Sequence, residues 1–261
     1  MTMSGQKPWK VARAILVIVV SVAVIFGIGY QTWYTDQLRV RPPDYCPTGT
    51  WPQIREGFEV PGHTAILIDT SNEIPAEDAK LAFQRIDAWT RNSAPFLQRL
   101  SIFGLPESAN DRVVRSFGSW CVPKDGTEAN RIYENPVYVE AQFRRFLATL
   151  QDVFRELVGR EESARSPIVE TMAGLVQRND DLDSIVLVSD MLQHTSLWSY
   201  YTMEGDTLSI PSECGRVTEP GRLKTVYVYF IDRGLAEIQA PEWPDAWWRR
   251  CLSGVKTEML N

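Results

Sequence analysis

Histidine is nearly missing from this 261-residue chain: His63 and His194 are the two it has. Cysteine is scarce as well. None of the four, Cys46, Cys121, Cys214 and Cys251, stands at a C-x-x-C or other close ligand spacing. Together these absences argue against a structural zinc site, which needs clustered Cys or His ligands. Basic residues are in deficit too, 27 Lys and Arg against 33 Asp and Glu, a formal charge of −6. A nucleic-acid partner would meet an opposing field, so none is expected. The chain also lacks a G-x-S-x-G elbow, a Walker loop, and a histidine base beside a nucleophile, which leaves no enzyme signature. What is present, 44% hydrophobic and 23% charged residues, is the balance of a chain that buries a core.

One further absence is local. From Ala14 to Thr35 there is no charged residue, and the centre, AILVIVVSVAVIFGIGY, is long enough to cross a bilayer as a helix. Lys7, Lys10 and Arg13 precede it, and Tyr30, Trp33 and Tyr34 follow as interfacial aromatics. A cleaved signal peptide would have a more compact apolar region and a small-residue cleavage site, and a buried core helix would rarely follow three cations. The expected organisation is a cytoplasmic tail (1–13), a single-pass anchor (14–35), a Pro- and Gly-containing linker (36–60) and an extracytoplasmic domain (61–261), periplasmic in a bacterium. In an oxidising compartment four scattered cysteines read as two disulfides. Sequence alone leaves three pairings open.

Within the domain, HTAILIDTSNEI is an apolar run stopping at Asp69, the pattern of a buried strand that ends in a polar loop. PAEDAKLAFQRIDAWTRN opens with Pro75, Glu77 and Asp78 and then repeats apolar residues at Leu81, Ala82, Ile86 and Trp89, which predicts a helix. RLSIFGL and RVVRSFGSW read as a hairpin turning at 107–111. A helical stripe then runs over 137–160, and a second helix starts near Ser166 and Pro167. SIVLVSDM and TVYVYFID are strands, the latter expected to be the last, and PEWPDAWWRRCL is an aromatic closing helix. The alternation predicts an α/β fold: a doubly wound, mostly parallel sheet with one antiparallel edge strand, preceded by the membrane helix.

Asp69 and Asp190 end two strands that should flank the switch in strand order, where ligands bind in such sheets. Two carboxylates beside Ser71 are hard oxygen donors suited to Mg²⁺ or another divalent cation. Helix or loop capping is the plainer alternative for each aspartate. These segments resemble the von Willebrand factor A domain family over roughly 60–255. ILIDTSNEI is similar to its Asp-x-Ser-x-Ser strand end, RSPIVETMAGL to its Thr-Pro helix start, with Ser166 in the Thr position, and IVLVSDM to its Thr-Asp-Gly strand end. The resemblance implies a metal-ion-dependent adhesion site built from Asp69, Ser71, Glu73, Ser166 and Asp190. It also implies a protein partner whose acidic residue completes the metal's coordination. Glu73 stands where the family has its second serine, and Met191 where it has glycine.

In that topology Cys46 and Cys121 fall at the end of the sheet opposite the metal rim, and Cys214 and Cys251 descend towards the same end, which favours the pairs 46–121 and 214–251. Trp198, Tyr200 and Tyr201, in the long segment after Asp190, are candidate anchors for a protein partner, with packing onto the sheet as the alternative. His63 and His194 read as ordinary hydrogen-bonding residues. The function expected is a membrane-anchored binding module. The rivals are a metal-free structural subunit of a membrane assembly and, more remotely, a metal-dependent hydrolase or phosphatase.

Overall fold

A computed structural model of the chain describes residues 8–37, 43–46, 61–105, 115–132, 134–159, 165–195, 198–202, 210–219, 222–234 and 246–260. Helix α1 (Pro8–Gln37) contains the whole charge-free stretch, and its segment Ala12–Trp33, with mean hydropathy 2.5, is long and apolar enough to cross a membrane. Its large apolar side chains are exposed along the helix, as expected of a segment whose solvent is not water.

The domain begins with β1 (His63–Ile68), every residue of which is buried. Alternation explains how: Ile66 and Ile68 belong to the core on one face of the sheet, and Ala65 and Leu67 to the core on the other. Helices α2 (Ala76–Ser93) and α3 (Pro136–Val158) cover the first face through Ile86, Trp89, Phe143, Phe146 and Leu150. Asn135 caps α3 by accepting the Val137 N–H at 3.0 Å, with Pro136 in the first turn. Helix α4 (Ile168–Arg178), the short α5 (Ser212–Val217) and α6 (Ala246–Cys251) cover the second face through Met172, Val176, Val217, Trp247 and Trp248.

The remaining strands are β2 (Arg99–Gly104), β3 (Arg115–Cys121), β4 (Leu182–Ser189), β5 (Thr225–Phe230) and β6 (Lys256–Met259). They lie in the order β3-β2-β1-β4-β5-β6, all parallel except β3 at the edge. Strand order therefore reverses between β1 and β4. Ile68 is level with Val188 of β4, so Asp69 and Asp190 leave the sheet at the same rim.

The expected fold class holds, with corrections at the margins. TVYVYFID is not the last strand, because β6 follows it. With the sequence Lys-Thr-Glu-Met, β6 is short, charged and half exposed, which suits an edge strand and gives almost no hydrophobic signal. Helix α4 starts at Ile168 and α3 at Pro136, and α5 occupies part of the segment read as a loop. Of the linker, 43–46 is described; the rest of it after Gln37 and the hairpin turn at 107–111 lie outside the described residues. Both favoured disulfides form, Cys46–Cys121 and Cys214–Cys251.

Candidate functional site

Each carboxylate at the rim is held by a different set of donors. Asp69 follows β1 directly, its own N–H bonded to the Val188 carbonyl at 2.9 Å, which fixes the chain as it leaves the sheet. Its Oδ1 accepts the Ser71 N–H at 3.0 Å, and its Oδ2 accepts the hydroxyls of Ser166 at 2.9 Å and Ser189 at 2.7 Å. Asp190 follows β4. Its Oδ1 accepts the Leu192 N–H at 3.0 Å, and its Oδ2 accepts from Arg233 Nε at 3.2 Å and Asn72 Nδ2 at 3.4 Å. Both aspartates, Ser166 and Ser189 are buried. Burial, and then the charge of Asp69, push the Asp190 carboxyl above its ordinary pKa, while the Leu192 N–H and the Arg233 guanidinium oppose the rise.

Ser71 and Ser166 thus join Asp69 and Asp190 at one place. Glu73 does not join them: its side chain is exposed, and its backbone carbonyl accepts from Arg233 Nη1. Met191 has a φ of +62°, the left-handed region where a side chain is strained and where the family pattern places glycine. Two bonds hold it there: its N–H donates to Ser189 Oγ at 2.8 Å, and its carbonyl accepts Trp248 Nε1 at 3.1 Å.

The three aromatics of the following segment separate. Trp198 stacks on Trp247 with ring centres 4.2 Å apart, and Tyr200 packs edge-on against both rings. Tyr200 is buried and Trp198 partly so, which is the packing alternative. Tyr201 alone stays open, 45% exposed and edge-on to His194. Arg233, Ser189 and Asn72 were not among the expected site residues. Asn72, inside the Asp-x-Ser segment, and Ser189, just before the aspartate of the Thr-Asp-Gly-like strand end, carried a signal; a lone arginine beyond a strand end has none.

A divalent ion needs oxygen lone pairs aimed at one point. Here the Asp69 carboxylate already accepts three hydrogen bonds, and both oxygens of Asp190 accept N–H groups. A guanidinium, donor-only and always charged, lies against Asp190. Among the described residues no group of three or more His, Cys, Asp or Glu could hold a metal. The donor set in this arrangement does not fit a divalent cation.

At the opposite end of the sheet an open cavity of about 830 Å³ is lined by Trp89, Gln98, Asp180, Asp183, Arg222 and Lys224 among others. Its charges pair with one another, Arg222 with Asp180 at 3.6 Å and Lys224 with Asp183 at 3.7 Å.

The strand order, the antiparallel edge and the serine-lined aspartate rim at the switch point define a von Willebrand factor A-like fold. Among solved structures, the chain is similar to an aerotolerance-related membrane protein from Bacteroides fragilis, with 12% identity, 64% of this chain and 66% of that one covered, and a TM-score of 0.32. It is also similar to a von Willebrand factor type A protein from Catenulispora acidiphila, with 9% identity, 68% and 36% covered, and a TM-score of 0.31. A human COPII-coat protein gives 10% identity, 78% and 30% covered, and a TM-score of 0.42. The chain thus spans less than two thirds of each of these structures. No family model and no curated protein matches the sequence.

Proposed function

We propose that the chain is a single-pass membrane protein whose A-type domain lies outside the cytoplasm and binds another protein through the rim at 69–73, 190–193 and Tyr201. The observation that carries this reading is the convergence of Asp69, Ser71, Ser166 and Asp190 at the switch point, beside the exposed Asn72, Glu73 and Tyr201. Two disulfides fit an oxidising compartment, and the cations before α1 fit a cytoplasmic N-terminus.

Geometry supports the direction in which the rim faces. Cys46 is bridged to Cys121, and the Cys121 N–H donates to the Asp44 carbonyl at 2.9 Å, which ties 43–46 to the end of the sheet where β1 begins. From Gln37 to Pro43 the chain can reach at most ~21 Å. That end therefore stays near the membrane, and the rim, a strand length further on, faces away from it. Co-purification of the full chain from membranes tests the reading. A partner recovered with the native protein should be lost with Asn72→Ala and Tyr201→Ala and kept with Ile132→Ala, at the opposite end. Equal recovery with all variants would reject it.

A further inference from the structure

Arg233 lies three residues beyond β5, yet it reaches the loops after both other central strands. Its Nε donates to Asp190 Oδ2 at 3.2 Å, and its Nη1 donates to the Glu73 carbonyl. One side chain thereby joins the segments following β1, β4 and β5. The pair is withdrawn from solvent, with side-chain exposures of 16% for Arg233 and 1% for Asp190. Asp190 is buried beside a second carboxylate, Asp69, and two buried acids require a neighbouring cation or a proton. A divalent ion would supply that charge through oxygen lone pairs, but those of Asp69 and Asp190 already accept hydroxyls and N–H groups. The guanidinium supplies it through donors whose planar geometry suits a carboxylate and a carbonyl at once, and it cannot be chelated away.

We infer that Arg233 is the resident cation of the rim, holding the loops around Asp69 and Asp190 as a divalent ion would, so that the rim is assembled without metal. The further statement that partner binding is metal-independent rests on the proposed function; the assembly of the rim does not.

The test is thermal melting of the detergent-solubilised full chain, followed by tryptophan fluorescence, in EDTA, Mg²⁺ and Mn²⁺. The native midpoint should be the same in all three. Arg233→Ala should melt roughly 5 °C lower, and Mg²⁺ or Mn²⁺ should recover part of that loss once the guanidinium no longer competes. Arg233→Lys should keep most of the native midpoint. A native midpoint raised by either ion overturns the inference. So does an Arg233→Ala protein as stable as native, or one whose loss no divalent ion recovers, which marks a plain structural ion pair. Should Arg233→Ala fail to fold, the native midpoints and calorimetric titration of the native protein with Mn²⁺ decide it, and heat of stoichiometric binding overturns it. Partner recovery in EDTA and in Mg²⁺ separates the two claims: recovery only with Mg²⁺ contradicts metal independence, while no recovery in either counts against the partner reading and leaves melting to decide on Arg233.

Discussion

The two ends of the sheet solve the same problem, polar side chains under a buried core, in opposite ways. Where the strands begin, His63 is 1% exposed and stays neutral: burial first, then Arg99, lower its pKa, and Asp181 only partly opposes them. His63 Nε2 lies 2.9 Å from the Ser101 hydroxyl, which lies 2.9 Å from that of Ser119, and its Nδ1 lies between Asp181 Oδ1 at 3.3 Å and an Arg99 guanidinium nitrogen at 3.4 Å. Where β1 and β4 end, two carboxylates are kept and a cation is brought to them. The first end pairs its charges with one another, Arg99 with Asp181, Arg222 with Asp180 and Lys224 with Asp183. The second concentrates charge beside exposed side chains, which is what a recognition surface needs.

The largest effects come from the disulfides, one against each face of the sheet. Chain-entropy arguments put the loss of either bridge at about 4 kcal/mol. Cys46–Cys121 spans 75 residues and Cys214–Cys251 spans 37, so the double serine variant of the first should lose about 0.6 kcal/mol more, because the loop is twice as long. Denaturant midpoints of the two double variants measure this, and a reversed order would show that native-state packing around α5 and α6 outweighs loop length.

Next come the hydrogen-bond hubs. Asp69→Ala removes the acceptor of two buried hydroxyls and one N–H, an expected cost of about 3 kcal/mol. Ser101→Ala, the hub at the other end, should cost about 1 kcal/mol, since its neighbours are neutral. Equal costs in urea unfolding would erase the contrast.

A pH series separates the ends by sign. With its folded pKa lowered, His63 binds its proton less tightly folded than unfolded. Its contribution to stability is complete above the ordinary histidine value of about 6.5 and is lost as pH falls through the lower folded value. Melting midpoints should therefore decline on acidification below that point, and His63→Gln should flatten the decline. An unchanged profile would place the acid sensitivity elsewhere. The smallest effect on stability, within about 0.5 kcal/mol, is expected for Tyr201→Ala, because the ring is 45% exposed.

How much of this was legible depended on which residues carry periodic signals. β1 and β4 are long apolar runs ending in aspartate, so their identity, their adjacency and the convergence of Asp69 and Asp190 could be read from the sequence. The antiparallel edge and both cysteine pairs followed from the order of elements. β6 could not be read, because an exposed four-residue edge needs no apolar pattern. Nor could the inward turn of Trp198 and Tyr200, since an aromatic in a long connection looks the same whether it meets a partner or, as here, Trp247. Arg233 was illegible for a deeper reason: its role is set by three-dimensional convergence of loops distant in sequence, and one arginine after a strand is chemically unremarkable until Asp190 is found beside it.

The claim that the rim is the recognition surface is tested most directly by placing a photo-crosslinking amino acid at one end of the domain and then the other, in membranes from cells producing the full chain. At position 201 irradiation should give a discrete adduct of higher mass, and at position 132, where Ile132 is exposed on the loop after β3, it should give none. An adduct from position 132 with none from position 201 would contradict the account.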